Sequence, residues 1–243
     1  MPEFIYKLSP FNAAAIFFFE NLLIILLVVL IGFLIRKKIS RGIPFHLTGK
    51  ELLFATFTLL INTGITFLGF ILWKKKIIVF HTDLSLAILP DFLVLFLSMD
   101  LAMYFLHLFI HHTALYRPVH GLHHDYHEPS PIDLFVLNPV ETFSFGSLWL
   151  ILIFFYPCNI YAVVIYLVLN VLFGMLGHLS VEPFPANWMR IPLANLICTS
   201  TFHYQHHKLE KYNFGFYTIL WDKIFGTLAP DYKEQFLLEK QKK

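Results

Sequence analysis

The residues best equipped for chemistry in this 243-residue chain are its thirteen histidines. All but His46 and His81 lie between His107 and His207, and most of those fall in tight groups. His107 and His111 form His-x-x-x-His. His120, His123 and His124 form His-x-x-His-His, and His203, His206 and His207 repeat that spacing. On a helix, residues three or four apart share a face, with Cβ atoms about 5–6 Å apart, so each group can aim several imidazoles at one point. Neutral imidazole ligates zinc, iron and copper. His178, closing an apolar run, is a further candidate. So many imidazoles exceed what one tetrahedral zinc takes, which makes two metal ions the natural count. The lone His46 and His81 read as ordinary histidines.

Acidic and phenolic groups accompany the histidines. Asp100, Tyr104, His107 and His111 follow i, i+4, i+7 and i+11, one stripe of a helix. An acid within an apolar span is costly and faces protein or a polar cavity. Asp100 lies about two turns (~10 Å) from His107 by helical rise, so it reads as a supporting partner of the metal site rather than a ligand of the same ion. Asp100 and Tyr104 are the catalytic candidates beside the nine imidazoles. Asp125, His127 and Glu128 adjoin the second group and are candidates for contact with metal or substrate.

The elements that must position these residues are membrane helices. The chain is 57% hydrophobic and only 14% charged, against about 25% charged in an ordinary soluble domain, and its mean hydropathy is +0.66. A helix needs about 20 mostly apolar residues to cross the hydrocarbon core. Apolar runs at 13–35, 52–73, 84–107, 143–156 and 160–177 predict an all-α, multi-pass bundle of four to five membrane helices. The fourth run is short and pairs with the fifth as a hairpin turned at Pro157-Cys158-Asn159, either crossing or re-entrant. With the N-terminus outside, Arg36, Lys37, Lys38, Arg41, Lys50, Arg117 and Arg190 fall in the cytoplasm, against Lys7 and Lys74–Lys76 outside, as the positive-inside rule favours. Helix parity then brings every histidine from His107 onward to the cytoplasmic face, as a helical cap. The expected divisions are N-terminal membrane helices (1–83), a catalytic region (84–232) and a basic tail (233–243).

Other classes fit poorly. A net charge of +2 does not suggest nucleic acid. Two cysteines give neither a disulfide framework nor a thiolate metal spacing, and no removable signal peptide is evident. There is no His-Glu-x-x-His of a zinc hydrolase. A histidine-rich zinc-binding or zinc-transport membrane protein is the alternative, although transport sites usually lie at the midplane and these groups sit at one face.

The ordered histidine groups beside membrane helices resemble the fatty acid hydroxylase/sterol desaturase superfamily. The likeness runs from about 100 to 232. It includes the Asp-x-x-x-Tyr-Phe-x-His approach at Asp100–His107, Tyr116-Arg117-Pro118, Asn138-Pro139-Val140-Glu141, Gly177-His178 and Trp221-Asp222-Lys223-Ile224-Phe225-Gly226-Thr227. The resemblance implies a non-haem centre of two iron ions, with zinc a possible occupant of purified protein, and O2 as co-substrate. It implies electrons from a separate reductase or cytochrome b5-like donor, and hydroxylation or desaturation of a membrane lipid such as a sterol or fatty-acyl lipid. The ligands it implies are His107, His111, His120, His123, His124, His178, His203, His206 and His207. Such a protein would reside in a bacterial inner membrane or the endoplasmic reticulum. The chain departs from the family at Leu108, where members often carry Arg. It departs again at Asn138 and Glu182, where some carry histidine, leaving Glu182 as an alternative ligand. Substrate and oligomeric state are open.

Overall fold

The long helices begin and end where local chemistry dictates. Ser9 caps the first by accepting the Asn12 amide at 3.2 Å, and Pro10 takes a first-turn position that needs no N–H. A computed structural model describes residues 2–40 and 47–241; Arg41 and His46 lie outside them. A short helix α1 (Pro2–Tyr6) precedes α2 (Pro10–Ile39), whose last turn carries Arg36, Lys37 and Lys38. A capping box at Thr48 and Glu51, with reciprocal bonds of 3.2 and 2.6 Å, starts α3 (Gly49–Lys74). Then come β1 (Phe80–His81), α4 (Ile88–His111) and the single turn α5 (Gly121–His124), which follows a π-helical turn at Tyr116–His120. The Asn138 and Asn159 side chains cap α6 (Pro139–Phe155) and α7 (Ile160–Gly177), with β2 (Cys158–Asn159) between them. Beyond these lie α8 (Ser200–Leu209), α9 (Leu220–Phe225) and α10 (Tyr232–Gln241).

The described chain is mostly helical, and four helices, α2, α3, α4 and α7, are long and apolar enough to cross a membrane. At 17 residues, α6 spans about 25 Å by helical rise, less than the ~30 Å hydrocarbon core. It packs between α3 and α4, and α4 packs on α7. Small residues allow the close approaches: a Cβ on Gly146 would lie 2.7 Å from Ile65 Cδ1. Leu95, Met99, Met103, Ile153, Ala162 and Tyr166 form the core of α4, α6 and α7.

The two ends of the bundle differ. At one, Asp91 at the start of α4 accepts Tyr156 Oη at 2.8 Å and the Asn159 amide at 2.7 Å, while β1 and β2 pair in parallel. That polar clasp holds α4 to the α6–α7 turn. The other end gathers the start of α3, the close of α2, α4 and α7, and all of α5 and α8. Lys50 pairs with Asp125 at 3.3 Å, and Gly32 of α2 sits against Pro131 and Leu179. The segment from 233 to 241, within the expected basic tail, forms most of the helix α10. Phe236 is fully buried there, Tyr232 Oη meets Thr199 Oγ1 at 3.1 Å, and Lys240 Nζ donates to the Glu182 carbonyl at 2.7 Å.

Candidate metal centre

Five backbone segments deliver imidazoles to the second end of the bundle. The last two turns of α4 carry His107 and His111. The π-turn and α5 carry His120, His123 and His124, His178 caps the C-terminus of α7, and α8 carries His203, His206 and His207. All nine candidates from the sequence meet here, and they sort into two groups. His107, His111, His120, His124 and His206 form one. His123, His178, His203 and His207 form the other. Within each group one ligand-capable nitrogen per residue lies within 4.8 Å of every other.

The sorting follows from helix geometry. Residues four apart face together and adjacent residues diverge. His120 and His124 therefore enter the first group while His123 turns to the second, and His203 and His207 enter the second while His206 turns to the first. The groups adjoin, with His124 and His207 ring centroids 4.8 Å apart. Gly177 leaves the room this needs, because a Cβ there would stand 3.2 Å from the His203 ring.

The other nitrogen of several rings is held by an acceptor. His107 Nδ1 donates to the Phe214 carbonyl at 3.0 Å, His178 Nδ1 to Gly174 at 2.8 Å and His206 Nδ1 to Tyr212 at 2.7 Å. His120 Nδ1 donates to Glu141 Oε1 at 2.6 Å, with both side chains buried. Each bond fixes the tautomer and turns Nε2 inward. Burial, with the neighbouring imidazoles, holds His120, His123, His203, His206 and His207 well below the ordinary histidine range. Burial lowers His178 to about 4, and burial with His107 close by lowers His124 to about 3. These rings are neutral at neutral pH, the form that binds metal.

The donor set fits metal ions. His111 Nε2, His123 Nδ1, His178 Nε2, His206 Nε2 and His207 Nδ1 are buried without a hydrogen-bond partner, each such atom costing about 1–3 kcal/mol if left so. His107 Nε2 faces His120 Nε2 at 3.0 Å, and His203 Nε2 faces His207 Nε2 at 3.1 Å. Pairs of like nitrogens turned inward beside unpartnered ones are what a shared cation would satisfy.

The remaining candidates lie around the centre rather than in it. Asp100 is fully buried, and its carboxylate accepts the Tyr217 amide (2.9 Å), the Thr218 amide (3.2 Å), Thr218 Oγ1 (2.6 Å) and Trp221 Nε1 (3.0 Å). Tyr104 Oη meets Thr227 Oγ1 at 2.9 Å, and its ring stacks on Phe225. With His107 they form the expected stripe of α4, which docks the segment from Phe214 to Thr227. Asp125 is engaged with Lys50 at the surface. Neither His127 nor Glu128 joins either histidine group. Asn138 caps α6 and donates to the Pro118 carbonyl at 3.0 Å. Glu182 accepts the Thr201 amide (3.0 Å), Thr201 Oγ1 (2.7 Å) and the Phe184 amide (3.1 Å), so it braces the start of α8.

Two supporting acids escaped the sequence reading. Glu141 is one; its signal was an acid opening an apolar helix just after Asn138-Pro139. Asp222 is the other. It accepts the Phe214 and Gly215 amides at 2.8 and 2.7 Å and so fixes the carbonyl that holds His107.

An apolar cavity of about 500 Å³ runs from this centre into the bundle. His107, His120, His123, His178 and His203 line its inner end, drawn from both groups, and Met99, Met103, Phe145 and Trp149 line its walls.

The class is defined by a helical bundle, with four helices long and apolar enough to cross a membrane, that joins two histidine groups able to hold metal ions to an apolar cavity. The fatty acid hydroxylase family model matches residues 92–227, and the chain belongs to that family, within the fatty acid hydroxylase/sterol desaturase superfamily. It is 32% identical to lathosterol oxidase of Rattus norvegicus over 130 residues, 53% of this chain and 41% of that one. It is 27% identical to Delta(7)-sterol 5(6)-desaturase of Leptosphaeria maculans over 140 residues, 58% and 37% of the respective chains. Methylsterol monooxygenase 1 of Gallus gallus is 29% identical over 139 residues, 57% and 44%. The matched segment thus spans less than half the length of these relatives. No solved structure matches the chain.

Proposed function

We propose that this protein is a membrane-embedded, O2-dependent lipid hydroxylase or desaturase whose nine histidines hold two iron ions. The observation that carries the reading is the meeting of both histidine groups with the inner end of one apolar cavity. His107, His111, His120, His124 and His206 would hold one ion, and His123, His178, His203 and His207 the other. Five imidazoles exceed a tetrahedral zinc set, which favours iron over zinc in the first group.

When bound, the two ions supply oxygen activation and oxidation of an unactivated C–H bond. The chain's own residues do the rest. Glu141 and the carbonyls of Phe214, Gly174 and Tyr212 orient the rings. Met99, Met103 and Phe145 exclude water and hold hydrocarbon against the centre. Asp100 and Tyr104 act as positioning residues through the segment from Phe214 to Thr227. Hydroxylation consumes O2, two electrons and two protons and yields one water; desaturation yields two. The electrons come from a reductase or cytochrome b5-like protein, which requires the histidine end to face the cytoplasm, as the basic residues near it favour.

The test is metal analysis of purified protein combined with oxygen uptake in lipid vesicles. Two iron ions per chain and uptake that depends on added lipid are expected. Bound zinc with no lipid-dependent uptake would overturn the proposal and favour metal binding or transport.

A further inference from the structure

The cavity walls supplied by α2 and α3 lie outside the segment, 92–227, that the family model matches. Among the described residues that line the cavity, those also exposed on the molecule's outer surface are Glu20, Leu27 and Ile31 of α2 and Val164, Val168 and Leu172 of α7. The five apolar ones are 42–54% exposed. Their spacings are i, i+7, i+11 on one helix and i, i+4, i+8 on the other, a single stripe each. Every other lining residue is buried or half-buried. These exposed lining residues mark a slot where the cavity reaches the outer surface, over about 12 Å of α7 and 16 Å of α2 by helical rise, along a line where the two helices also touch in part.

Charge narrows what can pass. The lining includes two carboxyl groups, Glu20 at the slot and Glu141 at the histidines, and no Lys or Arg among the described residues. A fatty acid carboxylate or a phosphate would be desolvated without a counter-charge and would pass Glu20. The Asn62 side-chain amide also lines the cavity, has no hydrogen bond among the described residues and can serve a neutral polar group.

We infer that the slot between α2 and α7 is a lateral portal that loads an uncharged lipid directly from the bilayer. The inference rests on the cavity being the substrate site. Its test uses the full chain, iron-loaded, in phosphatidylcholine vesicles carrying a diazirine-bearing alkyl alcohol or the matching carboxylate. After irradiation, labelled residues are mapped by mass spectrometry.

The alcohol should label Met99, Met103 and Phe145. Val168→Trp and Leu27→Trp should each cut that labelling about tenfold, equivalent to about 1.4 kcal/mol against entry. Ile165→Trp, exposed on α7 but off the cavity, should leave it unchanged. The carboxylate should enter only Glu20→Lys protein. Should the tryptophan variants fail to fold, Val168→Cys modified by a bulky thiol reagent after purification makes the same block, since both native cysteines are buried. Unchanged labelling in the blocked proteins, or entry of the carboxylate into unmodified protein, would overturn the portal. Labelling needs no turnover. A chain that labels as described yet consumes no O2 therefore refutes the oxidase reading alone.

Discussion

Replacing Glu141 with leucine removes the acceptor of one imidazole while leaving all nine histidines in place. The His120 Nδ1–Glu141 bond is 2.6 Å long, and the two side chains are 3% and 2% exposed, so no water can substitute freely. A buried donor left without a partner costs about 1–3 kcal/mol, or roughly 5- to 150-fold in an equilibrium constant at 1.4 kcal/mol per tenfold. That range brackets the 10–100-fold loss of metal affinity usual when an orienting partner of a ligand histidine is removed. Glu141→Leu should therefore release the ion of the first group under a chelator concentration about 10–100 times lower than the wild type requires. The ion held by His123, His178, His203 and His207 should be retained, so iron per chain passes through a plateau at one. Glu141→Gln keeps an acceptor oxygen and should recover much of the loss. Chelator titration followed by metal analysis reads all three proteins. Wild-type affinity in Glu141→Leu, or simultaneous loss of both ions, would refute the assignment of His120 to a separate first group.

Three further outcomes are expected. His123→Ala and His206→Ala should each abolish turnover while the protein stays in the membrane, and metal analysis should show each losing iron from a different group; full activity in both would refute the ligand assignment. Asp100→Asn leaves at least one of its four donors facing an amide N–H, a cost of about 1–3 kcal/mol, and should lower Tm by roughly 2–12 °C with a smaller loss of turnover than either histidine variant; an unchanged Tm counts against its positioning role. In metal-free protein His178, lowered by burial to about 4, makes one contribution to the pH dependence of stability. Unfolded histidine gains its proton near 6.5 and the folded ring only near 4, so between these values the unfolded state binds more protons and this ring's share of the stability falls as pH falls, by about 1.4 kcal/mol per unit; the stability of wild type relative to His178→Leu, followed by thermal unfolding from pH 6.5 to 4.5, checks the sign, and a flat or rising difference would contradict it.

The helices and the ligand-capable residues were legible in the sequence, because both rest on local signals. Apolar runs at 13–35, 52–73, 84–107, 143–156 and 160–177 give the bundle, and tight spacing gives the nine imidazoles. Their division into groups was not legible. It depends on α5 being a single turn and on the approach of α7 and α8, which only packing decides. Asp100 shows the same limit: its acid-in-a-span signal was clear, but its partners Tyr217, Thr218 and Trp221 lie more than a hundred residues away in the chain. Glu141 was hidden because its role depends on His120, twenty-one residues earlier. α10 was also hard to read, because only two buried aromatics, Tyr232 and Phe236, anchor a helix rich in charged residues.

Neighbours on one backbone turn, His123 with His124 and His206 with His207, feed opposite groups. Within each triplet the roughly 100° rotation between successive helical residues turns neighbouring imidazoles apart, and the packing of α5, α7 and α8 decides which group each one joins. A single residue inserted within either triplet would exchange which imidazole serves which ion. The centre thus acts as a fixed gauge set by two short helical turns, while the cavity walls, including those of α2 and α3, can change shape without touching a ligand-capable residue.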